Sequence, residues 1–174
     1  HCVTGVQTCA LPISETDYRK LLEHKDIDYV IVATPEHWHW TMTIDAMDAG
    51  KAVYCEKPLT HTIPEAQAVV KKQKETGRPV QVGVQAMSDD SYISARNAIR
   101  DGIIGKVLQA QIEYVRRYSE GAGPWREPQL VEAHKNKPAD LDWNAWLGSA
   151  KKIDWNPNHY FEWRCYSEIG RAHV

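Results

Sequence analysis

The chain has 174 residues, of which 43% are hydrophobic, with 21 basic and 23 acidic side chains. That length buries one good core, or one domain and part of another. The slightly acidic balance excludes the basic face that nucleic-acid binding needs. No apolar run approaches the roughly 20 residues of a membrane helix, so neither nucleic acid nor membrane is expected as a partner.

The ends stand apart from the rest. Residues 3–13 and 169–174 read as translated sequencing-adapter DNA. Thr8 to Ile13 can be encoded by ACG TGT GCT CTT CCG ATC, whose reverse complement, read one frame over, gives the last six residues of the chain. An inverted DNA repeat linking two protein tails is not what selection on protein function leaves. Residues 1–14 and 168–174 are therefore set aside from fold reasoning, as a cloning scar would be. On this reading a signal peptide would precede the cut, and localisation is unknown, cytoplasmic or exported. Cys2 and Cys9 fall with the tail. Cys55 and Cys165 remain, without the spacing of a disulfide framework or a zinc knuckle.

In chain order, Asp17 to His24 reads as the end of a helix. Asp28 to Thr34 is a continuous branched apolar run, the mark of a parallel strand covered on both faces, stopped by Pro35. Trp40, Ile44 and Met47 follow at helical spacing, with Gly50 as the stop. A strand from Ala52 runs into Glu56-Lys57-Pro58. Thr62 and Glu65 form a capping-box pattern opening a helix that closes at Gly77, and Pro79 to Val84 is a third strand. This strand–helix alternation predicts half of a doubly wound parallel sheet with right-handed crossovers.

The pattern changes after Gln85. Asp89 or Ser91 can cap a helix ending at Gly102. Val107 to Tyr118 alternates apolar and polar residues, as an antiparallel strand with one wet face does. The predicted organisation is a partial Rossmann domain over 15–88, then a truncated α/β domain with a mostly antiparallel sheet over 89–167. Beyond Ser119 the chain is Gly- and Pro-rich, with one short apolar unit from Leu141 to Gly148.

Three polar clusters follow the predicted strands: Thr34-Pro35-Glu36-His37-Trp38-His39, Glu56-Lys57-Pro58 and Gly83-Val84-Gln85. In an open parallel sheet, ligands gather beyond the carboxyl ends of the strands, so these clusters should converge on one edge. A solvated strand-to-loop turn explains Glu56-Lys57 taken alone equally well. The pair His37-x-His39, with Cys55 or His61, lacks a recognised metal spacing and a fourth ligand, and no metal site is expected. His37 by itself reads as a surface residue at a helix start.

The pattern D-Y-V-I-V-A-T-P-x-H-x-H…D-A-G-K-x-V-x-C-E-K-P-L-T over residues 28–60 resembles the Gfo/Idh/MocA family of NAD(P)-dependent oxidoreductases. The likeness continues through Val82 to Gln85, Gly102 to Val107 and Leu141 to Gly148. It implies hydride transfer between NAD or NADP and a sugar, inositol or related polyol, in a parent protein that is a dimer or tetramer. Carried over by position, Lys57 is the family's catalytic lysine, binding the substrate hydroxyl and taking its proton. Thr34, Pro35, Glu36, His39, Glu56, Lys57, Pro58 and Gln85 fall at cofactor-contacting positions. Trp163 and Arg164 are substrate-side candidates, although core packing is the default for so large an apolar side chain as tryptophan.

Glu36 stands where the family more often has Asn or Asp, and Met87 where many members have Arg. The family's G-x-G-x-x-G and its D-x-x-x-H segment do not occur in the chain, so this chain by itself is expected to be inactive. An edge left open beside the first strand predicts poor solubility or domain swapping. Two alternatives remain beside the oxidoreductase: an NAD-dependent glycoside hydrolase of the same fold, and a non-catalytic binding protein.

Overall fold

The structure, a computed structural model, describes residues 14–113, 123 and 125–170. Helix α1 (Tyr18–Glu23) opens it, with the Asp17 carboxylate accepting from the Arg19 amide at 3.0 Å. Strands β1 (Tyr29–Val32), β2 (Ala52–Glu56) and β3 (Val80–Gly83) pair in the order β1-β2-β3, all parallel. Helix α2 (His39–Asp48) joins β1 to β2, and α3 (Ile63–Thr76) joins β2 to β3. This is the parallel α/β, Rossmann-like arrangement expected from the alternation.

Helix α3 begins and ends where its sequence says it should. Thr62 and Glu65 close a full capping box on α3, satisfying amides that the first turn leaves without partners. Gly77 ends α3 at φ 66°, a conformation that costs glycine nothing. The capping-box glutamate also accepts from the His61 amide at 2.8 Å, which steadies the loop leading from β2.

Consecutive crossovers in one direction put both helices on one face. There Val32, Val53 and Cys55 from the strands meet Ala46, Met47 and Val69 from α2 and α3 in an aliphatic core. The other face differs from expectation. Tyr29 is 63% exposed and Ile31 40%, so β1 is covered on one face among the described residues rather than on both. The continuous apolar run carries no sign of which face receives the helices; the crossover direction decides that.

The chain divides into two compact units. One comprises the described residues up to Gly83 together with those after 124; the other is Val84–Gly123. In the second unit, α4 (Asp90–Arg100) is capped by Asp89, whose carboxylate accepts from the Ser91 amide at 2.9 Å. The antiparallel strand expected from Val107 onward does not form over the described part: residues 107–113 are exposed and belong to no ladder. Alternation predicts a strand only where a neighbour supplies the hydrogen bonds, and none does so among the described residues. The remainder of that expected strand, 114–118, lies outside the described residues.

Within the first unit the region beyond 124 is more ordered than its Gly and Pro content suggests. It forms α5 (Pro128–Ala133), α6 (Trp143–Leu147) and α7 (Pro157–Phe161), followed by a 3-10 turn at Trp163–Cys165. Asp142 and Asn156 cap α6 and α7. Their side chains build a second core in which Trp143, Leu147 and Ile169 are buried and Trp146, Trp155 and Tyr160 pack around them. Ile169, in the segment set aside on sequence grounds, has no exposed surface.

Candidate active site

The parallel register aligns the strand ends. Val32 of β1 pairs with Cys55 of β2, and Glu56 pairs with Gly83 of β3. Thr34-Pro35, Glu56-Lys57-Pro58 and Gly83 thus follow one another along one edge of the sheet. Lys57 and Pro58 are half-buried, joined by a cis peptide bond. Gly83 lies under the Tyr54 ring so closely that a Cβ there would sit 2.6 Å from the phenol oxygen, so the end of β3 has no room for a side chain unless the ring moves.

The loop after β1 is built inward. Glu36 is 3% exposed, His37 5% and His39 1%. The His39 ring lies between two loops, its Nδ1 2.7 Å from the Pro58 carbonyl oxygen and its Nε2 2.8 Å from the Thr34 carbonyl oxygen. The Glu36 carboxylate lies 3.8 Å from His61 Nε2. His37, expected at the surface, is instead part of the packing. Its Nε2 lies 2.8 Å from the Trp146 carbonyl oxygen, which also accepts from Trp38 Nε1 at 2.9 Å. Burial pushes the His37 pKa down to about 4, outweighing the opposing pull of the Trp146 hydrogen bond. The ring is neutral at pH 7 and donates from Nε2.

The opposite side of this loop meets the aromatic region. Gly148, at φ 56°, lies against the Trp38 ring, where a Cβ would approach within 2.6 Å. A cavity of about 460 Å³ lies between β1, α1 and the rings of Trp38, Trp146, Tyr160 and Trp163. Thr34 and Pro35 line it, and the Thr34 hydroxyl is buried without a hydrogen-bond partner. Glu56 and Lys57 do not line it. Its titratable lining side chains are Tyr18 and Tyr160.

Trp163 and Arg164 fall in the 3-10 turn. The Arg164 guanidinium stacks 3.9 Å from the Trp163 ring centroid and 4.7 Å from that of Trp125. Burial lowers the Arg164 pKa, partly opposed by the Glu36 carboxylate. Just before the turn, the buried Glu162 carboxylate accepts from Arg126 at 2.6 Å and from the Glu127 amide at 3.0 Å. Gln85 and Met87 belong to the second unit, where both are exposed. Neither Cys55 nor Cys165 is in a disulfide. No group of three His, Cys, Asp or Glu among the described residues is placed to hold a metal. No helix among them is long and apolar enough to cross a membrane.

Reading the residues missed the Trp146 carbonyl. It fixes the loop after β1 by accepting two side-chain donors, and a main-chain oxygen leaves no residue type to recognise.

The parallel strand order with helical crossovers defines a Rossmann-like α/β protein. Residues 6–84 match the oxidoreductase family described as having an NAD-binding Rossmann fold. That match, to the Gfo/Idh/MocA family, covers a little under half of the chain. The chain is 31% identical over 133 residues to inositol 2-dehydrogenase of Salmonella typhimurium, a match covering 75% of this chain and 38% of that protein. It is 30% identical over 124 residues to an α-N-acetylgalactosaminidase of Shewanella oneidensis, covering 65% of this chain and 26% of that protein. Its fold is similar to a crystal structure of myo-inositol 2-dehydrogenase from Lactobacillus plantarum, with TM-score 0.51 and 35% identity over 54% of this chain and 28% of the other. The chain thus spans well under half the length of these relatives.

A nicotinamide dinucleotide fits part of what is present. Three aligned strand ends and an unpartnered buried Thr34 hydroxyl suit its nicotinamide end. The glycine-rich turn that seats the diphosphate is not in the sequence.

Proposed function

We propose that this chain is the nicotinamide-side part of an oxidoreductase that moves hydride between NAD or NADP and an inositol, sugar or related polyol. The observation that carries this reading is Lys57, half-buried at the end of β2 and flanked in register by the ends of β1 and β3. Thr34, Pro35, Glu56 and Pro58 are assigned to the cofactor. Bound there, NAD(P) supplies the hydride acceptor.

The proton is the protein's task. As the substrate's C–H bond gives up hydride, its hydroxyl O–H proton passes to Lys57 Nζ and the carbon–oxygen bond becomes a carbonyl. Trp163 and Arg164 are assigned to the substrate side; their stacked pair offers an apolar face and a donor fork to a polyol.

The test is NADH formation by the full gene product with myo-inositol and a panel of polyols. Lys57→Ala should lower kcat/KM by about 10²-fold or more while NADH still binds. A product that binds no dinucleotide, or a Lys57→Ala variant as fast as wild type, overturns the reading.

A second reading follows from the similarity to the α-N-acetylgalactosaminidase. Release of a chromogenic aglycone with no net NADH would favour it over the dehydrogenase.

A further inference from the structure

We infer that His39 is a positioning residue that ties the loop after β1 to the loop after β2, fixing the spacing of the two strand ends that bracket the reaction edge. The inference rests on the nicotinamide reading for its functional meaning, but its structural content stands on the ring's own contacts.

His39 is the first residue of α2 and is 1% exposed. Its two ring nitrogens lie 2.7 Å from the Pro58 carbonyl oxygen and 2.8 Å from the Thr34 carbonyl oxygen. Carbonyl oxygens only accept, so the ring nitrogen that carries the hydrogen is the donor at its contact. Each tautomer joins one loop, and exchange between tautomers joins both. Arginine's guanidinium is the other planar group with donors at this spacing, and it is always charged. Glutamine would offer one donor group and an oxygen that repels the second carbonyl.

The two carbonyls belong to residues at the heart of the edge. Thr34 carries the unpartnered buried hydroxyl, and Pro58 directly follows Lys57. A shift of either loop moves a cofactor-side group relative to the lysine. Both nitrogens face protein carbonyls and the ring has almost no exposure, so His39 acts on a ligand through the loops and not by touching it. Catalytic geometry depends on this kind of support, because small displacements of the reacting groups are costly.

The experiment uses the full gene product with ¹⁵N-labelled histidine. Ring nitrogen shifts are read first, with His39 assigned through its backbone. Neither His39 nitrogen should show the shift of a fully bare one. Amide hydrogen exchange is then compared with His39→Gln, and His39→Asn is measured alongside. Exchange at Glu36 and at Leu59 and Thr60 should rise together by about tenfold, while Val69 in α3 is unchanged. NADH binding, read by fluorescence, should weaken by about tenfold. A fully bare nitrogen on the wild-type ring overturns the tie, as does exchange that rises at one loop only or at neither. If both variants fail to fold, the ring shifts decide alone. If wild type binds no NADH while ring and loops behave as expected, the nicotinamide reading fails and the tie stands.

Discussion

The two cores of the first unit are built by different means. Under the sheet, Val32, Ala46, Met47, Val53, Cys55 and Val69 come from regular elements whose periodicity points them inward. Beyond residue 124 the helices are five or six residues long, too short for periodicity to organise a face. There the rings do the organising. Trp143 and Trp146 stack with centroids 4.8 Å apart, Trp155 meets Trp143 edge-on at 5.1 Å, and Trp143 Nε1 donates to the Ile153 carbonyl at 2.8 Å. An aliphatic core needs elements to deliver its side chains, whereas an indole brings both area and a donor and can hold irregular backbone in place. The Trp146 carbonyl, accepting from His37 and Trp38, is where one construction touches the other.

The largest effect should come from removing a central member of either core. Trp143→Ala should cost about 3–5 kcal/mol and Met47→Ala about 2–5 kcal/mol in urea unfolding. If the two constructions form one cooperative unit, far-UV circular dichroism and tryptophan fluorescence will give coincident transitions in both variants. Separate transitions would break that picture.

The pH response comes next. The His37 pKa is lowered from its ordinary value of 6.5 to about 4 in the folded protein, so the unfolded chain takes up the proton first. Stability contributed by neutral His37 is complete above about pH 6.5. It is lost as pH falls towards 4, amounting to about 3 kcal/mol across that window. His37→Gln keeps a donor for the Trp146 carbonyl without titrating. Its stability between pH 7 and 4.5 should fall less than wild type's; an equal fall would show that burial of His37 is not the cause.

Trp38→Phe keeps the ring against Gly148 but removes one of two donors to the Trp146 carbonyl. About 1 kcal/mol should be lost. A double variant with His37→Phe should cost more than the sum of the singles, because the carbonyl then has neither side-chain donor; strict additivity would argue against the shared acceptor. The smallest effect is expected in the regular region. Thr62→Ala removes the capping-box hydroxyl of α3 at an exposed position and should cost about 0.5–1 kcal/mol, read from its thermal midpoint.

Much of the first unit is legible without coordinates. The branched run of β1, the capping box at Thr62 and the glycine stops are local signals, and the structure places each element within a residue or two of them. The convergence of Thr34, Lys57 and Gly83 also follows from alternation alone, since a parallel sheet brings its carboxyl ends to one edge. The expected strand from Val107 shows where such signals fail. Alternation there describes a surface suited to pairing, but a ladder needs a partner.

What the sequence by itself determined is the parallel half-sheet, its caps and stops, and the edge that carries Lys57, because each rests on near neighbours in the chain and on the handedness of crossovers. Only the tertiary structure decided that one face of β1 is covered, that Glu36, His37 and His39 turn inward, and that a tryptophan-rich segment more than 100 residues later holds their loop. Those outcomes depend on burial and on main-chain oxygens meeting distant side chains. A carbonyl is the same at every residue, and which one lies within 3 Å of a buried ring is settled only when the chain has folded.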